Sequence, residues 1–142
     1  MSNVWDKVPD WGGIGALRLE RTTALGAGAS VWELQPGGVN WAHFHHGSEE
    51  LLVVLRGRPT LRTSDGERIL AEGDVVTFPR GPEGMKEIRN ESEEIARVLI
   101  VSTNVAPDVS EYPDVGKIGL STGGDEWKLF RPSDAVEYYD TS

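Results

Sequence analysis

The chain contains no cysteine. That absence excludes disulfides, thiolate metal sites, iron–sulfur clusters and a cysteine nucleophile together. Histidine is scarce, with three in 142 residues, so imidazole chemistry has few places to reside. Positive charge is in short supply as well: 14 Lys and Arg stand against 23 Asp and Glu, a formal net charge of −9. A field of that sign repels phosphate backbones and anionic lipid surfaces, so neither nucleic acid nor membrane is an expected partner. Arg56, Arg58 and Arg62, interrupted by Pro59, are the closest basic grouping and suit a solvated strand face. No stretch approaches the eighteen apolar residues of a membrane helix, and Met1 to Lys7 has neither the basic flank nor the apolar run of a signal peptide. The expectation is a soluble, cytoplasmic protein of one domain, long enough to bury roughly 68–70% of its unfolded surface.

What is present is mostly strand signal. Ala16 to Arg21 and Ala29 to Leu34 alternate apolar and polar residues, the period of a half-buried strand. Glu50 to Arg56 is a short apolar run closed by Gly57, which suits a strand covered on both faces. Thr60 to Ser64 and Glu67 to Leu70 flank Asp65-Gly66 and predict a tight hairpin. Further strands are expected over 75–78, 85–89 and 95–102. Many short strands with frequent turn residues point to an all-β sandwich or barrel. Gly12-Gly13-Ile14-Gly15 lacks the strand-to-helix setting of a phosphate loop and is assigned as loop. From Val105 the composition shifts to Pro, Asp, Gly and Ser, which predicts an irregular tail, with a short helix over 133–139, wrapping the barrel or a partner subunit. Trp127, Phe130, Tyr138 and Tyr139 would anchor it.

All three histidines fall within Trp41-Ala42-His43-Phe44-His45-His46-Gly47-Ser48-Glu49-Glu50. If residues 41–45 form a strand, Trp41, His43 and His45 project from one face. Glu50, from the next strand, completes a nitrogen and oxygen donor set suited to Zn, Mn, Fe, Co or Ni, with positions left open. Trp41 on that face would line a substrate pocket or belong to the core. His46 and Glu49 have the opposite parity and are expected at the surface.

The spacing Gly37-x5-His43-x-His45-x4-Glu50-x6-Gly57 resembles the first motif of the cupin superfamily at every fixed position. Gly73-x5-Pro79-x-Gly81 resembles the start of the second, which continues with a histidine and, four positions on, an asparagine. Asn90 is present, after what looks like an insertion of Pro82-Glu83. The resemblance covers about residues 28–104, the core barrel, with 105–142 as the tail. The chain is similar to small single-domain bacterial cupins, down to Glu111-Tyr112-Pro113-Asp114 and Gly116-Lys117 in the tail. It implies a double-stranded β-helix, or jelly-roll, that is usually dimeric and holds a metal through three histidines and one glutamate. A homodimer is expected also because edge strands and an apolar tail would otherwise be exposed.

One position departs from the pattern: the second-motif histidine, counted back from Asn90, is Lys86. No histidine exists outside 43–46 to replace it. An ammonium about 4 Å from a divalent ion is repelled by ~8 kcal/mol at an effective dielectric near 20. Lys86 is therefore turned away, leaving an open two-His, one-carboxylate site, or neutral and able to act as a base or form a Schiff base, or present instead of a metal and paired with Glu50. The expected function is a small-molecule cupin, a metal-dependent enzyme of isomerase, dioxygenase or lyase type acting on an oxygen-rich or carbonyl compound, with Lys86 as pocket cation and catalytic candidate. The alternative is a non-catalytic sugar- or effector-binding cupin that has lost its metal.

Overall fold

The computed structural model describes residues 1–22, 24–124 and 126–142. These form β1 (Ile14–Thr22), β2 (Ala27–Leu34), β3 (Val39–His45), β4 (Glu50–Arg56), β5 (Thr60–Thr63), β6 (Gly66–Ile69), β7 (Val75–Phe78), β8 (Lys86–Arg89), β9 (Ala96–Thr103), β10 (Asp108–Tyr112), β11 (Lys117–Ser121) and β12 (Lys128–Phe130). Every strand expected from alternation or from an apolar run is present. A five-stranded sheet runs β1-β2-β9-β4-β7, and a seven-stranded sheet runs β12-β11-β10-β3-β8-β5-β6. The pairings among these strands are antiparallel. The fold is an all-β jelly-roll, in which strands close in sequence are dealt to opposite sheets.

One continuous core lies between the sheets, made by Leu34, Leu52, Val54, Leu61, Leu70, Phe78, Ile88, Ala96, Val98 and Ile100. Within β4 only the even residues Leu52 and Val54 are fully buried, while Leu51, Val53 and Leu55 are half-buried. The strand expected to be covered on both faces is thus enclosed on one and partly shielded on the other. The hairpin joining β5 to β6 pairs Thr63 with Gly66, so its loop is Ser64-Asp65, one residue earlier than Asp65-Gly66. Gly66 takes a φ of 119°, while Asp65 stays at negative φ; a glycine is needed just after the loop.

The tail is less irregular than its composition suggests. β10 pairs with β3 through Ser110 with His45 and Glu111 with Phe44, and β11 and β12 extend the same sheet. Short polar strands carry little periodic signal, and here the ladder of an existing sheet organises them. The helix expected over 133–139 is absent: a single 3-10 turn at Pro132–Asp134 stands in its place, and the residues after it are exposed. Without a buried face, helical propensity alone cannot hold so short a segment. No helix among the described residues is long and apolar enough to cross a membrane.

Candidate functional site

β3 delivers the histidines, but not with the plain alternation of a regular strand. Its pairing with β8 runs Asn40 to Ile88 and then His43 to Lys86, three residues on one strand against two on the other. This bulge shifts the parity, so that Asn40, not Trp41, lines the same cavity as His43 and His45. Trp41 is 55% exposed and does not line the cavity; its expected place on the histidine face is corrected by that extra residue. Glu50, at the start of β4, has Ser102 of β9 and Phe78 of β7 as cross-strand neighbours. These groups sit in a cavity of about 1010 Å3 at the open end of the barrel.

The hydrogen bonds orient both rings. His43 Nδ1 lies 2.7 Å from the carbonyl of Trp41 and His45 Nδ1 lies 3.0 Å from Asp108 Oδ2. A carbonyl accepts and does not donate, so His43 carries its proton on Nδ1; donation to the Asp108 carboxylate places the proton of a neutral His45 likewise. Both Nε2 lone pairs are then free for the cavity. Asp108, 3% exposed, is held by the N–H of Gly47 at 2.9 Å and the hydroxyl of Ser48 at 2.8 Å. His43 stacks on Tyr112 at 5.2 Å between centroids, and His45 meets the edge of Trp127 at 5.5 Å.

Lys86 is 2% exposed and donates to Glu50 Oε1, with its ammonium 5.0 Å from the centre of the Phe78 ring. Glu50 Oε2 accepts from the Ser102 hydroxyl at 3.0 Å, and His45 Nε2 is 3.4 Å from Oε1. Burial would by itself raise the Glu50 pKa, but the Lys86 ammonium and then His45 outweigh it and hold the carboxyl at about 2. Burial, followed by the charge on Lys86, pushes His43 down to about 4. Glu50 is ionised and His43 neutral at pH 7. Of the three dispositions open to Lys86, the turn to solvent is excluded by its burial.

One donor atom from each of His43, His45 and Glu50 lies within 4.8 Å of the others. Bonds of roughly 2.0–2.2 Å to a common ion require a slight inward movement of that set. The donor chemistry fits a divalent transition metal, because two imidazoles present Nε2 and one of them is backed by a carboxylate in the manner of metal-ligand histidines. The cation facing the Glu50 carboxylate is the Lys86 ammonium.

The structure therefore brings His43, His45, Glu50 and Lys86 together and leaves Trp41 out. His46 pairs with Glu111 at 2.5 Å and Glu49 with Arg80 at 2.9 Å, both at the surface as their parity implies. Sequence reasoning missed Asp108, Ser102, Tyr112 and Trp127. Asp108, Tyr112 and Trp127 lie in the segment assigned to an irregular tail. The alternation of Asp108, Ser110 and Tyr112 on one strand face is a signal that was there to find.

A cupin domain family model, Cupin_2, matches residues 30–102. No curated protein matches the sequence significantly. Among solved structures, a cupin-superfamily sugar phosphate isomerase from Silicibacter pomeroyi aligns with a TM-score of 0.74 at 22% identity, covering 89% of this chain and 82% of its own. A proposed sugar phosphate isomerase from Acidithiobacillus ferrooxidans aligns at 0.69 and 26% identity, covering 87% and 81%. An oxalate oxidase in complex with the substrate analogue glycolate aligns at 0.61 and 21% identity, covering 72% of this chain and 58% of its own. With both motif segments on the barrel strands and a family match spanning half of its length, this chain belongs to the cupin family.

Proposed function

We propose that this cupin is a small-molecule enzyme whose barrel mouth holds a divalent transition metal through His43, His45 and Glu50, with Lys86 beside it as a neutral amine, and acts on an oxygen-rich or carbonyl compound. The observation that carries the reading is the orientation of the two rings. With both Nδ1 atoms facing acceptors, the Nε2 lone pair of His45 faces Glu50 Oε1 at 3.4 Å, and two facing acceptors call for a cation. When bound, the ion would polarise a substrate carbonyl or hydroxyl oxygen. Lys86 would then face the substrate as a general base, and Tyr112 and Trp127 would wall it from water. The names of the structural neighbours, two sugar phosphate isomerases and an oxalate oxidase, are of oxygen-rich chemistry. Association into a homodimer belongs to the same proposal, supported by Leu129 and Phe130, both about half exposed on edge strand β12.

A second reading has its own observation: the contact between Lys86 and Glu50. There the ammonium replaces the ion and the mouth binds its ligand without catalysis. Calorimetric titration of chelator-treated protein with Zn and Mn separates the two. The metal reading expects one ion per chain, of modest affinity, lost in the His43→Ala, His45→Ala double variant. Absence of binding by the parent overturns it in favour of the ammonium.

A further inference from the structure

The cavity wall at β1 and β2 carries two indoles set at a right angle. Trp32, half-buried on β2, is the cross-strand neighbour of Ala16, and both line the cavity. Trp11, in the segment before β1, lines it too and meets Trp32 in a T-shaped contact, with ring centroids 6.5 Å apart and planes at 87°. Trp11 is nonetheless 63% exposed. A loose chain is not the reason. The Trp11 amide donates to the Ile14 carbonyl at 2.7 Å, the Gly12 and Gly13 amides donate to Asp10 Oδ1 at 3.0 and 2.8 Å, and the Gln35 amide donates to the Gly13 carbonyl at 2.9 Å. A Cβ on Gly15 would fall 1.5 Å from the Pro9 carbonyl oxygen, so the segment lies directly against β1. The indole is held in water on a fixed backbone, an unfavourable place for so large an apolar ring unless something else covers it.

Two indoles at a right angle make a corner. A flat aromatic ring placed in it stacks on one indole and presents its edge to the other, the two arrangements that the aromatic quadrupole favours. The other tryptophans more than half exposed have no such setting: the ring of Trp5 has the Arg97 guanidinium 5.8 Å from its centre, and Trp41 does not line the cavity. A sugar ring suits the corner less well, because its hydroxyls need hydrogen-bonding side chains around the stacking face, and the strand neighbours of Trp32 are Ala16 and Val98. Trp32 and Glu50 lie two strands apart in the five-stranded sheet, and their partners on β9, Val98 and Ser102, are four residues apart. That is roughly 16 Å between backbones, at 4.7–4.9 Å per strand and 3.2–3.4 Å per residue. Less the reach of the indole and of the Glu50 side chain, the gap suits a ring joined to a carbonyl by a short linker.

We infer that Trp11 and Trp32 form an aromatic-ring subsite, so that the compound taken at the barrel mouth is an aryl compound whose carbonyl lies toward His43, His45 and Glu50. The inference rests on the reading of the mouth as a small-molecule site, and it names the class of molecule.

Phenylacetamide, an uncharged aryl carbonyl compound, is titrated calorimetrically into chelator-treated protein, so that the outcome does not depend on the metal. The parent binds it saturably. Trp11→Ala weakens binding at least about fivefold, as loss of an aromatic pair and its buried area implies, while Trp11→Phe keeps most of it. Trp41→Ala, which removes an indole of similar exposure outside the cavity, leaves affinity unaltered. Cyclohexylacetamide, of similar shape without the π face, binds several-fold more weakly. Absence of binding by the parent, unchanged affinity in Trp11→Ala, equal loss in Trp41→Ala, or cyclohexylacetamide or inositol binding as tightly each overturns the inference. So does light scattering that finds the parent dimeric and Trp11→Ala monomeric, because a second copy then covers Trp11. Zinc binding without phenylacetamide binding leaves the metal reading in place and sinks this inference alone; phenylacetamide binding without zinc binding does the reverse.

Discussion

The closed end of the barrel and its mouth are built from the same strands, two residues apart. On β8, Ile88 belongs to the core and Lys86 to the site; on β4, Leu52 and Glu50 divide in the same way; on β9, Ile100 and Ser102. Lys86 and Ile88 are about equally buried, at 2% and 1%, yet they are held by different physics. Ile88 needs only apolar neighbours of the right volume, and burial itself favours it. Lys86 needs a counter-charge, because burial of an unpaired ammonium is strongly unfavourable. The core thus tolerates changes that keep volume and apolarity, whereas the mouth tolerates only changes that keep charge paired.

The sharpest way to break this contrast is to remove one partner of the buried pair. Glu50→Ala leaves Lys86 uncompensated and is expected to destabilise the chelator-treated protein by about 3–5 kcal/mol. The double change Glu50→Leu, Lys86→Met recovers most of that loss in urea denaturation. A double variant no more stable than Glu50→Ala would show that the pair does not govern the mouth. By comparison Leu52→Ala, a core cavity of similar cost at about 2–5 kcal/mol, should have no such rescue from position 86.

Metal affinity gives the next largest effect. Lys86→His removes a cation beside the donor set and adds a fourth donor, and is expected to tighten Zn or Mn at least about a hundredfold by calorimetry. Unchanged affinity would mean that position 86 does not act on the ion. Asp108→Asn should weaken the metal by about 10- to 100-fold, because the amide no longer fixes the His45 tautomer by accepting as a carboxylate does. If affinity survives, the ring is held by packing against Trp127 alone.

Acid should act on the mouth before the core. His43 has its folded pKa lowered to about 4 from an ordinary 6.5, so the unfolded chain takes up the proton first. Stability of the metal-free protein then falls as pH drops from about 6.5 to 4. Glu50, held at about 2 against an ordinary 4.5, contributes stability above pH 4.5 that is lost between 4.5 and 2. Denaturant midpoints for the parent and His43→Gln check the first step, whose slope should vanish in the variant. The smallest effect belongs to the surface: His46→Gln breaks the exposed pair with Glu111 and should change stability by no more than about 1 kcal/mol.

Much of the molecule was legible in the amino-acid sequence. Period-two alternation and glycine punctuation determined the strands from β1 to β9, because side chains of a strand must alternate between core and solvent. The spacing of His43, His45 and Glu50 determined the donor set, since residues two apart on a strand share a face. Chain order says nothing, however, about where an extra residue is absorbed. The bulge in β3 decided that Asn40 and not Trp41 faces the cavity, and the bulge in β1 decided that Arg18 and Arg21 do so together. Nor does local pattern reveal a partner sixty residues distant: Asp108 reaches His45 only because β10 adds to the edge of β3. Lys86 was left with three dispositions by sequence alone. Burial at 2% beside Glu50 excluded the solvent-facing one, because a lysine enclosed by the barrel must direct its ammonium to an acceptor, and only the closed sheets determine which acceptor is within reach.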